Sequence, residues 1–397
     1  SQPMKHLNNN HFKIFIGVLL IGAIFILPSI RTSSDKSASA EETKSTINKE
    51  AEEALTKFIF RNKIEQIDSF LNIHKKRYRF QGNVLVGHKG HVLYKKTFGY
   101  ANPKTHSKLK EDDVFQLASV TKQFTAAAIM ILQQKGMLAY SDTVQTYIPE
   151  FPYEGITIKM LLNHTSGLPN YMWLLEHHWN RERIPYNDDV LDLLSKHKLN
   201  LYFTPGTRFS YSNTGYVILA SIIERISGTT YDKFLEANIF NPLKMKHSFA
   251  YSPAIHKKKP NKVSGYRTWG HRYRTIPNTV NDGAVGDKGI YSTIEDLYKW
   301  DQALYGDSLL TEENKKLAFQ PAKLKNGYEY PYGFGFRLKT IDSSRVVYHY
   351  GKWNGFRTGL IRFVEDSSTV VVLNHTNRPG ISKITRNIEE ILNQDKS

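Results

Sequence analysis

Ser119 and Lys122 are the residues whose types and spacing point most directly to chemistry. They lie where polar sequence gives way to an apolar run with helical periodicity, so we expect both side chains on one face of a helix, about one turn apart. A lysine amine held beside a serine hydroxyl can turn that serine into a usable nucleophile. The spacing alone is weak evidence, because Ser-x-x-Lys recurs in this chain. It occurs again at Ser33/Lys36, Ser107/Lys110 and Ser195/Lys198.

Two later patterns contain further candidate residues. Tyr211 and Asn213 stand just before a predicted helix, where both side chains can point into one cleft. The triplet His349-Tyr350-Gly351 ends a predicted strand, and its glycine would let a substrate approach the backbone closely. The same spacings recur at Tyr100–Asn102 and at His88–Gly90, where a hairpin is predicted. Neither pattern alone therefore identifies a site. The segments that contain Ser119, Tyr211 and His349 occur in this order, each in a suitable local setting. Together they are stronger evidence for a catalytic site than any one alone.

The elements that must position these residues form two strand-rich regions around a helical middle. Helices are predicted at 119–137, at 214–227, from 293 and at 380–393; a hairpin turns at 88–90, and strands follow at 333–338, 346–349, 358–363 and 369–373. The N-terminal and C-terminal segments are thus predicted to build one antiparallel sheet with a helical lobe inserted between them. This is an α+β fold, and its site would lie where the lobe meets the sheet.

Composition sets the class of protein. The chain has 397 residues, 40% of them hydrophobic, which is enough for a large globular core. It has no cysteine, which excludes disulfides, a cysteine nucleophile and a thiolate metal site. The histidines show no metalloprotease spacing, so no metal and no cofactor are expected. The formal net charge of +17 favours an anionic membrane or cell-wall surface as a partner. The basic residues look dispersed and form no nucleic-acid-binding motif, so nucleic acid is not expected.

The N-terminal region predicts export. Residues 14–27 form an unbroken apolar run after Lys5 and Lys13, which is typical of a signal anchor or signal peptide within residues 1–31. Ala38-Ser39-Ala40 resembles a cleavage site far beyond that run, so a retained membrane anchor is favoured and secretion after cleavage stays open. Residues 32–60 are expected to be a polar tether that is flexible over residues 32–50, and residues 61–397 the catalytic domain. A helix that starts at about residue 50 is expected to lead into this domain. In both cases the domain is expected outside the cytoplasmic membrane.

The motifs closely resemble those of the serine β-lactamase and penicillin-binding-protein superfamily. The nearest branch is the class C-like one, with β-lactamases, D-Ala-D-Ala carboxypeptidases, D-aminopeptidases and esterases. The resemblance runs from about residue 65 to residue 392. Its motifs are residues 119–126, 161–168, 205–213, 289–297 and 349–356. It implies a β-lactamase-like fold, in which N-terminal and C-terminal helices flank the antiparallel sheet.

The resemblance implies a role for each residue around the serine. Ser119 is the acyl-accepting nucleophile, Lys122 its close partner and Tyr211 the general-base tyrosine. Asn213 orients Lys122 and the substrate amide. Burial and the helix terminus are expected to lower the pKa of Lys122. A phenol ordinarily has a pKa of about 10, and a neighbouring Lys122 cation is expected to lower it. Which of the two groups holds the proton stays open.

The resemblance also implies how the substrate is held. The backbone N–H groups of Ser119 and Lys352 form the oxyanion hole. His349 and Gly351 lie on the substrate-binding strand, where the type β-lactamases carry Lys-Thr-Gly. A histidine with a pKa of about 6.5 is mostly neutral at pH 7, so it attracts a substrate carboxylate less strongly than lysine. The candidates for the missing charge are Arg337, Lys352 and Arg357.

The sequence therefore predicts a serine hydrolase that forms an acyl-enzyme on a D-amino-acid-containing peptide, amide or ester. Carboxypeptidase or esterase activity is favoured over a class C-like β-lactamase, because histidine replaces lysine on the strand. A non-catalytic penicillin-binding or sensory domain is the alternative from another class. The complete set of Ser119, Lys122, Tyr211 and Asn213 argues against it.

Overall fold

The computed structural model describes residues 35–341 and 343–394. The predicted export segment, residues 1–31, lies outside these described residues. Among the described residues, no helix combines the length and the apolar character needed to cross a membrane. The described residues from Thr56 onward belong to one compact unit, which contains all the candidate site residues.

Helices and strands alternate along the described chain. The helices are α1 (Asp35–Ile59), α2 (Arg61–Tyr78), α3 (Thr121–Gln134), α4 (Ile158–Leu162), α5 (Tyr171–His178), α6 (Asn187–His197), α7 (Asn213–Ser227), α8 (Tyr231–Leu235), α9 (Ile294–Ala303), α10 (Glu312–Ala318) and α11 (Ile381–Asn393). The strands are β1 (Gly82–His88), β2 (His91–Phe98), β3 (Tyr100–Asn102), β4 (Ser107–Lys108), β5 (Phe115–Gln116), β6 (Phe249–Ala250), β7 (Tyr266–Trp269), β8 (Arg272–Thr275), β9 (Ile290–Ser292), β10 (Ala322–Lys323), β11 (Glu329–Tyr330), β12 (Arg337–Ile341), β13 (Ser344–Trp353), β14 (Phe356–Phe363) and β15 (Ser368–Asn374).

Helix α1 occupies most of the segment that was expected to be a polar tether. Residues 43–50 are all exposed, which explains their polar composition, but the backbone is helical. Alanine, glutamate and lysine make up 13 of the 25 residues of α1, and all three are strong helix formers. The backbone of this segment is thus helical, and both the tether and the predicted domain boundary at residue 61 stay predictions.

The main sheet joins the two ends of the catalytic region. Its six strands run in the order β12-β13-β14-β15-β1-β2, with every neighbouring pair antiparallel. Strand β1 pairs with β15 along its whole length, from Gly82 opposite Asn374 to His88 opposite Ser368. The helical lobe lies between β2 and β12 in the chain. The predicted plan of one antiparallel sheet with an inserted helical lobe is thus confirmed.

Each face of the sheet is covered by a separate hydrophobic core. Successive side chains of a strand point to opposite faces. Val84 and Val86 of β1 pack with α2 and α11, whereas Leu85 belongs to the larger core of the helical lobe. Helix α3 lies within that larger core, and its residues 121–132 are all buried. The nucleophile candidate therefore stands at the start of a deeply buried helix.

The predicted strand at 333–338 is displaced towards the C-terminus, because β12 begins only at Arg337. The two glycines before it explain the difference. A Cβ atom on Gly333 would lie 1.8 Å from the Ala318 carbonyl oxygen, and Gly335 has φ +78° beside the backbone of Lys122. This segment packs irregularly against α3 and α10, so its apolar pattern does not mark a strand.

Candidate active site

Ser119 lies in a tightly held turn at the start of α3. Residues Ala118–Val120 form one 3-10 turn, and its first residue has φ +48°, which is uncommon for a residue with a side chain. Leu117 anchors the turn by donating its N–H to the Ile290 carbonyl (2.9 Å) and accepting a hydrogen bond from Thr358 Oγ1 (2.7 Å). The half-buried Ser119 lines a cleft of about 610 Å³. The backbone therefore fixes the serine hydroxyl at this cleft.

Lys122 is fully buried directly beside Ser119. Its Nζ lies 3.1 Å from Ser119 Oγ, 2.8 Å from Asn213 Oδ1 and 2.9 Å from the Asp287 carbonyl oxygen. Burial lowers the pKa of Lys122 to about 7; the Asp287 carboxylate opposes this change and the Arg337 cation adds to it. The shift has the direction expected from the sequence. At neutral pH a large share of Lys122 is consequently an uncharged amine.

The partners of Lys122 determine what this uncharged amine can do. Asn213 Oδ1 and the Asp287 carbonyl oxygen can only accept hydrogen bonds, so they take the two N–H groups of the neutral amine. The charged ammonium donates its third hydrogen to Ser119 Oγ, whereas the neutral amine leaves a lone pair there that can accept the serine hydrogen. Lys122 is thus placed to receive the serine proton.

Tyr211 and Asn213 lie at the start of α7, as the sequence predicts. The Ser212 side chain accepts a hydrogen bond from a backbone N–H in the first turn (3.2 Å), while its own N–H donates to His164 Nδ1 (3.0 Å). The rings of His164 and Tyr211 pack with their centres 4.3 Å apart. These contacts hold Tyr211 beside Lys122, whose Nζ lies 4.8 Å from the centre of the tyrosine ring.

The pKa of Tyr211 differs from the expectation. Burial raises it well above that of an ordinary phenol, and the Ser119 hydroxyl and the Arg337 cation offset only part of the rise. The expected lowering is wrong, because burial of the phenol is the largest influence on its pKa. The hydroxyl is buried and makes no hydrogen bond of normal geometry with a described residue. Tyr211 therefore stays protonated at neutral pH, with a hydroxyl available to a substrate atom.

His349 is buried, and both of its ring nitrogens are engaged within the protein. Nδ1 donates to the Tyr350 carbonyl oxygen (2.7 Å), so Nε2 accepts from the Tyr332 hydroxyl (3.1 Å). Burial is the main cause that lowers the pKa of His349 to about 3; the Lys122 and Arg337 cations add to it, and the bond to Tyr350 opposes it. His349 is thus neutral at pH 7. It shapes the wall of the cleft without supplying a positive charge.

Gly351 lets strand β13 press against the turn that holds Ser119. A Cβ atom on Gly351 would lie 2.3 Å from the Leu117 carbonyl oxygen and 2.3 Å from Thr358 Oγ1. The close approach is the reason that glycine is needed here. The backbone conformation is not, because Gly351 does not have a positive φ. Lys352, the next residue, lines the same cleft as Ser119. The two segments predicted to supply the oxyanion hole are therefore neighbours.

Among the described residues, those that line the cleft include three basic residues and no acidic one. Arg337, Lys352 and Arg357, the three candidates for the missing charge, all line it. Arg337 is half-buried, and its guanidinium lies 5.2 Å from the centre of the Tyr211 ring. The cleft can thus hold an anionic group. Within the described part of the chain, no group of three or more His, Asp or Glu side chains is placed to hold a metal ion.

A buried ion pair behind Lys122 was missed in the sequence. Lys288 Nζ lies 3.4 Å from Asp287 Oδ2, and the Tyr171 hydroxyl lies 2.7 Å from each of these atoms. Asp287 also supplies the carbonyl oxygen that binds Lys122. The sequence signal for this ion pair is the two adjacent charged residues, Asp287 and Lys288, between Gly286 and Gly289. Both glycines have a positive φ in the structure.

Comparisons with known proteins agree with this geometry. Residues 60–392 match the model of the family described as Beta-lactamase. The chain is 37% identical over 329 residues to penicillin-binding protein 4* of Bacillus subtilis (strain 168), covering 79% of this chain and 72% of that protein. It is 28% identical over 297 residues to a D-aminopeptidase of Brucella anthropi, covering 73% of this chain and 55% of that protein.

A solved structure supports the same assignment. The octameric penicillin-binding-protein homologue from Pyrococcus abyssi is similar with a TM-score of 0.72 and 25% identity, covering 83% of this chain and 77% of that one. The predicted β-lactamase-like α+β fold is therefore confirmed. With a family match over most of its length and an activated serine in the expected cleft, the chain belongs to the beta-lactamase family of serine hydrolases.

Proposed function

We propose that this protein hydrolyses a D-amino-acid-containing peptide, amide or ester through an acyl-enzyme on Ser119. The contacts of Lys122 carry the proposal, because its neutral form directs a lone pair at Ser119 Oγ. The similarity to a D-aminopeptidase and to penicillin-binding proteins supports a substrate that contains a D-amino acid.

The proposed reaction begins with proton transfer from Ser119 Oγ to the neutral amine of Lys122. Oγ bonds to the substrate carbonyl carbon, and the resulting oxyanion accepts hydrogen bonds from the N–H groups of Ser119 and Lys352. The bond to the leaving amine or alcohol then breaks. The leaving group takes the proton from the Lys122 ammonium, with the Tyr211 hydroxyl as a relay. Water, deprotonated by the same lysine, cleaves the acyl-enzyme and regenerates Ser119.

The neutral His349 favours a carboxypeptidase or esterase over a β-lactamase. The type β-lactamases have a lysine at this place, and here both histidine nitrogens are engaged within the protein. A non-catalytic penicillin-binding domain is less well supported, because a buried lysine with a pKa of about 7 beside a serine serves catalysis rather than binding.

A substrate panel with a mass readout tests the proposed function. We expect hydrolysis of D-alanine esters or amides, or of an N-acyl-D-Ala-D-Ala peptide, at least tenfold faster than of the L-enantiomers. A penicillin probe should add one acyl group to the peptide that contains Ser119, and Ser119→Ala should carry none. Rapid nitrocefin turnover would favour the β-lactamase instead. No acyl transfer from any donor would contradict the proposal and support the binding domain.

Arg337 is proposed to hold an anionic group of the substrate. Its guanidinium stands over Tyr211, and its charge lowers the pKa values of both Lys122 and His349. A charge-assisted hydrogen bond contributes about 1.5–3 kcal/mol, so Arg337→Gln should raise KM about 10–100-fold for a substrate with a free carboxylate. The same substrate as its amide should be unaffected.

A second readout separates this role of Arg337 from a structural one. Removing its charge should raise the pKa of Lys122, so the acid limb of kcat/KM should move to higher pH. Arg337→Lys keeps the charge and should restore most of both effects. Equal losses for the acid and amide substrates would contradict the role.

An extracytoplasmic location is also proposed, on the basis of the lysine-flanked apolar run at residues 14–27. Digestion of intact cells or protoplasts with a protease tests it. The catalytic domain should be degraded while a cytoplasmic marker stays intact, and protection of both would contradict the proposal.

A further inference from the structure

We propose that the hairpin β7–β8 and its surroundings form a docking surface for a polyanionic polymer, a chain whose negative charges recur along its length. Binding at this surface does not require Ser119, so the inference stands apart from the proposed function. It starts from a charge pattern. Segments 69–110, 251–281 and 367–388 contain ten, seven and three lysines or arginines, respectively, and neither aspartate nor glutamate.

The three acid-free segments meet at the hairpin. The Gly270 carbonyl oxygen, at the hairpin turn, accepts hydrogen bonds from Arg79 Nη1 (2.8 Å) and Arg378 Nη2 (2.6 Å). The N–H and hydroxyl of Thr268 both donate to Asn377 Oδ1, at 2.9 and 2.8 Å. Arg79 and Arg378, which are far apart in the sequence, are therefore brought to the turn of the hairpin.

The outer face of the hairpin is bare and basic. Arg267 pairs with Arg274 across the two strands, and Trp269 pairs with Arg272. All four side chains are exposed, and Trp269 is 85% exposed. No carboxylate of the described residues forms an ion pair with any of these three arginines. Like charges directly opposite each other destabilise a strand pair, so a bound anion would relieve this repulsion.

The chemistry of this face fits a polymer better than a lipid surface. Arginine binds phosphate and carboxylate groups through two parallel hydrogen bonds. Trp269 is the only large exposed apolar side chain of the hairpin, which is enough to stack on one polymer unit but offers little area for insertion into a bilayer.

The docking surface also continues into the catalytic cleft. Arg378 and Lys383 flank residues Pro379–Ser382, which line the cleft beside Ser119. Arg337 adds a cation inside the cleft. An extended polyanion can therefore contact the hairpin while one of its units reaches the serine.

Binding of inorganic polyphosphate to two charge-matched variants tests this surface. The first variant is Arg267→Gln/Arg272→Gln/Arg274→Gln. The control is Lys159→Gln/Lys196→Gln/Lys233→Gln, which removes three exposed cations elsewhere in the protein. We expect the hairpin variant to lose at least tenfold in affinity and the control less than about threefold. The slope of log affinity against log salt should fall by about 2–3 in the hairpin variant, since each lost phosphate contact changes it by about 0.9.

Further measurements keep the result interpretable. Both variants should hydrolyse a small uncharged ester at the wild-type rate, which shows that they are folded. If both variants lost polyphosphate affinity equally, the binding would depend only on the net charge of the protein. That result would overturn the inference. A membrane-binding surface would give a different pair of results. Trp269→Ala would then abolish binding to phosphatidylglycerol vesicles, while polyphosphate binding would not depend on the three arginines. These two results together would also overturn the inference.

Discussion

Replacing Lys122 by methionine is expected to lower kcat/KM by about 10²–10⁴-fold, the usual contribution of a positioned general base. Methionine has a similar length and fills the buried site, but it has no lone pair that can take the serine proton. The measurement is steady-state hydrolysis of an activated ester. Acylation by a penicillin probe should slow by the same factor, because both reactions begin with deprotonation of Ser119 Oγ.

The pH profile identifies which form of Lys122 acts. The reactive form is the neutral amine, so kcat/KM of the wild type should rise with pH through about 7, the pKa of the buried amine. Lys122→Met should lack this limb. Lys122→Arg supplies the control, because a guanidinium stays charged at every accessible pH and cannot accept the proton. An active arginine variant would show that the position needs only a cation and would contradict the role as a base.

The same lysine links stability to pH. Its pKa is lower in the folded protein than in the unfolded chain, where a lysine has a pKa of about 10.4. Between pH 7 and about 10 the unfolded state therefore binds more protons, so the wild-type free energy of unfolding should increase with pH in this window. The difference between wild type and Lys122→Met, measured by urea unfolding, isolates this contribution. A difference that does not change with pH would mean that Lys122 is charged in the folded protein throughout.

Local patterns predicted which elements carry the candidate site residues. Ser119, Lys122, Tyr211 and Asn213 are all near helix starts, and helix periodicity and capping residues are readable within a few positions of sequence. The hairpin at residues 88–90 and the strand that carries His349 follow from alternation and turn residues in the same way. The shared antiparallel sheet followed from the placement of strand patterns at both ends of the chain, whereas the order of its strands was not predicted.

The features that were missed depend on contacts between distant segments. The pKa values of Tyr211 and His349 depend mainly on burial by distant segments, and the Tyr332 hydroxyl engages His349 Nε2. The basic surface at the hairpin arises only when Arg79 and Arg378 meet the Gly270 carbonyl. Sequence spacing describes neighbours along one element, so none of these could be derived from it.

Gly351→Ala is expected to lower kcat by about 10²–10³-fold, the usual loss when an oxyanion hole is disrupted. The added methyl would lie 2.3 Å from the Leu117 carbonyl oxygen, an atom of the turn that carries Ser119. To accommodate it, β13 and the turn must separate, and the N–H groups of Ser119 and Lys352 must separate with them. KM should change much less, because the oxyanion forms only in the transition state.

Gly359→Ala is the matched control on the neighbouring strand β14. The three atoms nearest to its methyl would be side-chain atoms of Tyr350 and Ile381, at 3.1–3.2 Å, which can move by a few tenths of an ångström. We therefore expect less than a threefold change in kcat. Thr358→Val, which removes the hydrogen bond to Leu117, provides a milder route to the same displacement if Gly351→Ala does not fold. A Gly351→Ala enzyme with wild-type kcat would show that the turn and the strand need not touch for catalysis.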